Sequence, residues 1–151
     1  MCVTLVQKIP TGCRTIDKIL EGGIPFESVS LIYGEAETGK TTLAIQCAIN
    51  CAGQGYKTLF VDCDGTFSTR RLSQMASERF KEIAELIILM KPNNFREQTL
   101  VIDQLTDYIT KNFGLVIIWF HQNYQLCNFF EFFRGHLRKT SGGESAVAIY
   151  K

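Results

Sequence analysis

Neither sign of charge dominates this chain. Its 16 Lys and Arg stand against 15 Asp and Glu, a formal net charge of +1 over 151 residues. That excludes the strongly basic balance of a protein whose whole surface binds nucleic acid, so any contact with a polyanion must come from a local patch. No apolar run approaches the roughly 20 residues that cross a bilayer. Met1 to Leu5 has no charged segment followed by a long apolar one, which argues against a signal peptide and for the cytoplasm. The six cysteines, Cys2, Cys13, Cys47, Cys51, Cys63 and Cys127, form no Cys-x-x-Cys pair, so free thiols in a reducing compartment are expected. Cys47 and Cys51 are four apart on an expected helix and share a face, where they read as small hydrophobes rather than a metal clip. The two histidines, His121 and His136, have no neighbours that suggest a metal site or a catalytic base. Internal repeats and low-complexity linkers are also absent.

What is present is a length sufficient for one domain with a sizeable core and a hydrophobic fraction of 46%, that of an ordinary soluble protein. The chain is organised around Gly34-Glu35-Ala36-Glu37-Thr38-Gly39-Lys40-Thr41-Thr42. The pattern G-x-x-x-x-G-K-T is a phosphate-binding loop when a strand precedes it and a helix follows. Both are expected here: an apolar run ends at Tyr33, and a helix-prone run begins at Thr42. In that setting main-chain N–H groups and the positive end of a helix converge on one spot and can hold a polyphosphate. Gly34 and Gly39 allow a backbone that a Cβ would obstruct. Lys40 brings a positive charge to the outer phosphates, and the Thr41 hydroxyl is placed to ligate Mg²⁺. The competing reading is an ordinary strand-to-helix turn with a surface lysine. Glu35 and Glu37 add negative charge beside a phosphate site, at little cost if they point to solvent.

The rest of the chain alternates strand, loop and helix. Arg14 to Leu20 has Ile16, Ile19 and Leu20 at helical spacing and is stopped by Gly22-Gly23. Pro25 then imposes an extended approach to a strand over 28–33. The helix from Thr42 to Ala52 is apolar nearly all round, which predicts burial on two sides. Strands follow over 57–62, 86–90 and 115–120, with helices over 69–80 and from 95 to about 112. Asn94 and Glu97 resemble a capping box at the start of the second helix, and Leu100, Val101, Leu105, Tyr108 and Ile109 form its expected core stripe. This alternation predicts a parallel α/β sheet with right-handed crossovers. Asp62 and Asp64 then lie beyond the carboxyl end of a strand, where open α/β sheets bind ligands.

Ile9-Pro10-Thr11-Gly12-Cys13, Ile16-Asp17 and Gly22-Gly23-Ile24-Pro25 resemble the opening of archaeal RecA-type recombinase paralogues of the RadB family. Val61-Asp62-Cys63-Asp64-Gly65-Thr66-Phe67, followed by Arg70-Arg71-Leu72, is similar to the family's acidic strand-end segment. The likeness covers about residues 9–118 and treats 1–151 as a single domain. It implies a RecA-like P-loop NTPase core, a mostly parallel sheet flanked by helices, that binds ATP with Mg²⁺. It also implies DNA binding in repair and homologous recombination, weak ATP hydrolysis, no strand exchange by the protein alone, and recombinase or nuclease partner proteins. In RecA-type enzymes a glutamate of the strand-end segment orients the attacking water. The matching residue is Asp64, one methylene shorter, which must still come within hydrogen-bond reach of that water. Turn chemistry before Gly65 explains the same aspartate equally well.

RecA-type cores also carry a second acid, after an apolar strand, that holds the metal's water shell. The strand is here as Leu115-Val116-Ile117-Ile118, but the next residue is Trp119. Asp62, at the end of Thr58-Leu59-Phe60-Val61, is the alternative metal acid. From 119 on, no family feature is evident, and 119–151 reads as an atypical tail. The core is expected to be truncated or altered after residue 118, by a changed reading frame in preference to natural divergence. Arg70, Arg71, Arg134, Arg138 and Lys139 are candidate DNA-phosphate contacts, against the plainer reading of a solvated charged surface. Two other functions stay open: a nucleotide-switched scaffold of the clock-type ATPases, and a non-functional fragment.

Overall fold

The computed structural model describes residues 7–26, 28–105, 112–120 and 146–150. Five strands make one parallel sheet: β3 (Val29–Ile32), β4 (Lys57–Asp62), β5 (Ile87–Met90), β6 (Phe113–Phe120) and β7 (Ala146–Tyr150), in the order β3-β7-β6-β4-β5. The strand before the phosphate loop, β3, is thus separated from β6 by β7 alone. A short antiparallel ribbon, β1 (Lys8–Ile9) with β2 (Ile24–Pro25), stands apart from the sheet. Pro25 was expected to lead into the first sheet strand; instead it closes this ribbon.

The helices are α1 (Arg14–Ile19), α2 (Lys40–Gly53), α3 (Thr69–Ala76), α4 (Phe80–Glu85) and α5 (Phe95–Asp103). On one side of the sheet Leu115, Ile117 and Trp119 of β6 join Ala44, Ile45, Cys47, Ala48 and Cys51 of α2 in one core. On the other side Leu59, Val61, Val116 and Ile118 pack with Leu105, and with Val101 and Ile102 of α5. The period of two along β6 sorts its residues between these cores, and so puts position 119 on the face of α2. Buried residues run almost continuously along α2, as an apolar helix pressed between neighbours requires.

The residues that suggested a family opening do structural work. Asp17 Oδ1 accepts from the Thr11 amide and hydroxyl, both at 2.7 Å, and its Oδ2 accepts from the Gly12 amide at 3.2 Å. Gly23 has φ +129°, and a Cβ there would sit 2.2 Å from the Ile9 carbonyl oxygen. No other residue fits where the ribbon strands meet this closely.

Three expected elements differ. The helix over 69–80 breaks at Ser77, whose φ of +50° ends α3. A 3-10 turn over Ser77–Arg79 then leads into α4, so Ile83 is helical rather than part of the strand approach. In α5 Gln98, Val101 and Ile102 face inward, with Leu105 packed just beyond the end of the helix, while Leu100 is 49% exposed. Gln98, buried and polar, takes a position that an apolar stripe would have assigned elsewhere. The Asn94 cap stands as expected, its side chain accepting from the Glu97 amide at 3.0 Å. Tyr108, Ile109, His121, His136, Cys2, Cys127, Arg134, Arg138 and Lys139 lie outside the described residues.

Candidate functional site

β3 delivers the chain to the loop, and α2 takes it away. Residues 33–39 are exposed, and burial begins at Lys40. Gly39 is the N-cap of α2, in the left-handed region at φ +89°, and no side chain caps the helix. The first N–H groups of a helix have no partner within it, and here the positive end of a 14-residue helix opens onto the loop. A Cβ on Gly39 would meet nothing within 4 Å, so its backbone angle, not space, calls for glycine. Gly34 has neither need: its φ is not positive, and a Cβ would meet Thr38 Oγ1 at an ordinary 3.6 Å. The strain expected at Gly34 falls instead on Glu37, at φ +62°.

Lys40 is the centre of the site. It is 7% exposed. Its ammonium donates to the Gly34 carbonyl at 2.8 Å, to the Glu35 carbonyl, and to Thr38 Oγ1 at 3.2 Å. Among the described residues the one ion pair joins Arg79 to Glu82 on the surface, so Lys40 has no carboxylate partner there. Burying a cation is costly without an anion beside it. Three neutral acceptors satisfy the geometry of this ammonium and leave its charge unneutralised. Glu37, Gly39, Lys40, Thr41, Thr42 and Trp119 line a cavity of about 230 Å³. Of the expected phosphate-loop residues, then, the cavity gathers Glu37 and Gly39 through Thr42. Gly34, Glu35, Ala36 and Thr38 form the exposed turn below it. Glu35 and Glu37 are both exposed, as solvent screening of their charge requires.

The acidic segment is built differently. Asp62 is 1% exposed. Its Oδ1 accepts from the Thr66 amide at 3.0 Å and its Oδ2 from the Phe67 amide at 3.0 Å. Both carboxylate oxygens are engaged in folding the strand-end loop, and Asp62 is not among the residues that line the cavity. Geometry therefore gives it a holding role. Phe67 is fixed further by an edge contact with Phe60, ring centroids 4.8 Å apart. Asp64 is half-buried in the turn before Gly65, whose φ is +68°, and it too lies outside the cavity lining. Cys63 between them donates its amide to the Trp119 carbonyl at 3.1 Å, which ties this loop to the end of β6. Burial and the flanking carboxylates of Asp62 and Asp64 push the Cys63 thiol up to about 12.

Sequence reasoning marked position 119 only for the acid it lacks. Trp119 stands opposite Asp62 in the β4–β6 register, is 1% exposed, and forms one wall of the cavity. The alternation of Leu115, Ile117 and Trp119 was the signal that would have placed it there. The pair Cys47 and Cys51 is buried in the core of α2, and burial raises the two thiols to about 12 and about 11. No group of His, Cys, Asp and Glu fit for a metal ion occurs among the described residues, and no described helix is long and apolar enough to cross a membrane.

The Rad51 family model matches residues 3–140. The chain is similar to the DNA repair and recombination protein RadB of Thermococcus gammatolerans, 41% identical over 113 residues, which are 73% of this chain and 50% of that protein. It is similar also to RadB of Methanococcoides burtonii, 35% identical over 115 residues, 76% of this chain and 51% of the relative. With RadB of Methanobrevibacter smithii, 32% identity extends over 145 residues, 96% of this chain and 52% of the relative. A crystal structure of the RadB recombinase superposes with a TM-score of 0.77 at 29% identity, covering 95% of this chain and 69% of that one. The chain spans about half the length of these curated relatives. The family match runs past Ile118 to residue 140, and Ala146–Tyr150 pairs with both β3 and β6, in the stretch where the sequence alone displays no family feature. The fold, the loop and the relatives agree: the chain belongs to the Rad51 family and, within it, groups with the RadB proteins.

Proposed function

We propose that this chain binds ATP through its phosphate loop and, as part of a RadB-type protein, binds DNA in repair and homologous recombination, with weak ATP hydrolysis and no strand exchange of its own. The observation that carries the nucleotide reading is Lys40: a buried ammonium without a carboxylate partner among the described residues, beside an uncapped helix N-terminus. A phosphate chain supplies the missing anion to both. Lys40 then exchanges loop carbonyls for phosphate oxygens, and the amides from Gly39 to Thr42 hold the phosphates from the helix side. Thr41, on the cavity wall, offers its hydroxyl as a Mg²⁺ ligand. Asp64 orients the attacking water, and Asp62 holds the loop that carries it.

DNA binding is supported by the relatives, which are named as DNA repair and recombination proteins. Arg70 and Arg71 are exposed at the start of α3 and supply local positive charge on a nearly neutral chain. Recombinase or nuclease partner proteins and a cytoplasmic setting complete the proposed reading.

Equilibrium titration of the purified chain with a fluorescent ATP analogue tests the first part. Saturable binding that Lys40→Ala abolishes is expected; a folded chain that binds no nucleotide overturns the reading. Co-sedimentation with DNA across a salt series tests the second. Binding through phosphates must weaken steeply with salt, and Arg70→Ala with Arg71→Ala must flatten that slope.

A further inference from the structure

Phosphate binding alone leaves one feature of the loop unexplained. From Gly34 to Thr42 it holds two carboxylates, Glu35 and Glu37, against one ammonium, Lys40. The two glutamates are not equivalent. Both are exposed, but Glu37 is among the residues that line the cavity with Lys40 and Thr41, and Glu35 is not. Glu37 also sits in the left-handed region at φ +62°, which a Cβ makes unfavourable and glycine adopts freely. Glycine would suit that backbone better. What glutamate adds is a charge at the mouth of the cavity. No cation pairs with it: among the described residues the one ion pair joins Arg79 to Glu82.

The consequence depends on the charge of the ligand. A carboxylate repels each negative charge brought into the cavity, and solvent and salt keep that repulsion small for any one of them. A metal-free triphosphate brings several at once. The same triphosphate with a divalent cation brings fewer, and the cation is itself attracted. The residues present fit such an ion: the Thr41 hydroxyl and the Glu37 carboxylate belong to the same lining and are oxygen donors, the kind that Mg²⁺ takes together with phosphate and water.

We propose that Glu37 is a specificity-determining residue of this site, its carboxylate disfavouring metal-free nucleotide and so selecting the Mg²⁺ complex. The inference rests on the nucleotide reading above. Lys40 and the N-terminus of α2 attract any phosphate chain. Glu37 grades that attraction by how much of the phosphate charge the metal has already cancelled. It acts through charge, and no direct bond from Glu37 to the ion is required.

The test is calorimetric titration of the whole chain with AMP, ADP and ATP, each in Mg²⁺ and in excess EDTA, at low and at moderate salt. Glu37→Gln keeps the shape of the side chain and removes its charge. In EDTA at low salt it is expected to tighten ATP by about threefold to tenfold, ADP by less and AMP least. In Mg²⁺ the change is expected to stay below about twofold, so the gap between the two conditions narrows in the variant. Added salt must bring wild type and variant together in EDTA. Glu35→Gln, off the cavity lining, is expected to have a smaller effect. The Glu37 side chain is exposed, so its replacement should leave the fold intact, and equal urea midpoints check this. A Glu37→Gln variant that gains no affinity for ATP in EDTA, whether or not the wild type binds there, overturns the inference. An equal gain from Glu35→Gln assigns the effect to the charge of the whole loop and also overturns it. In both cases wild-type binding that Lys40→Ala abolishes leaves the nucleotide reading standing. A folded wild type that binds no nucleotide in either condition overturns both.

Discussion

Two loops at the carboxyl edge of the sheet are tied down by opposite charges. In the phosphate loop a cation gathers acceptors: Lys40 draws in the carbonyls of Gly34 and Glu35 and the Thr38 hydroxyl. In the strand-end loop an anion gathers donors: Asp62 draws in the amides of Thr66 and Phe67. Asp62 is a scaffold, because main-chain N–H dipoles stabilise a buried carboxylate well. Lys40 is a receptor, because it lines the cavity and its loop is exposed around it. A buried charge that lines a cavity is placed to meet a ligand, and one held behind the loop it folds is placed as a structural joint.

Stability and binding respond differently at the two loops. Lys40→Ala is expected to weaken nucleotide affinity by about a hundredfold or more, since the charged donor contributes several kcal/mol in a desolvated site. Its urea midpoint is expected to stay near that of the wild type, as no buried partner is left ionised. Asp62→Ala is expected to do the reverse. It orphans two amides and costs about 2–4 kcal/mol in urea unfolding, with nucleotide affinity within about threefold. Equal losses of binding in the two variants would mean that Asp62 and Lys40 do not differ in role.

Asp64→Asn probes the same loop more gently. Asparagine serves a turn as well as aspartate does, so stability is expected to change by less than about 0.5 kcal/mol. If Asp64 orients water, any ATP turnover falls by about a hundredfold at unchanged affinity; unaltered turnover returns Asp64 to turn chemistry.

The smallest effect is alkaline. Burial raises the thiols of Cys47, Cys51 and Cys63 from the ordinary 9.0 to about 12, 11 and 12. The unfolded chain loses these protons first, so stability is full below about pH 9 and falls as pH rises toward 11–12. Urea midpoints from pH 8 to 10 check the sign. Alkylation adds a local reading: among the described cysteines the exposed Cys13 reacts first, and Cys63 reacts faster in Asp62→Ala than in the wild type.

Much of the fold was legible because its signals are periodic. Lys57–Asp62 is the strand expected from its nearly continuous apolar run, and α2 is buried almost all round, as its composition implies. The phosphate loop was legible because glycine, lysine and threonine are needed there for separate physical reasons. What escaped was decided by single side chains in tertiary contact. A two-residue ribbon has no period to read. Ser77 ends α3 through its own backbone angle. Gln98 turns a polar group inward and rotates the buried stripe of α5. For Asp62 the strand-end position suggests a metal acid, and the loop-holding bonds to the Thr66 and Phe67 amides are a second role that only the folded loop displays. Trp119 looked like a loss: the expected strand over 115–120 contains it, but only the pairing of β6 with β4 beside the phosphate loop puts it on the cavity wall.

The most direct test of the central claim is a set of ¹H–¹⁵N correlation spectra of the whole chain during titration with ATP. Saturable shifts are expected, largest at the amides of Gly39, Lys40, Thr41 and Thr42, smaller at Thr66 and Phe67, and absent in Lys40→Ala. Shifts that never saturate, or that gather at the strand-end loop and spare the residues around Lys40, would contradict it.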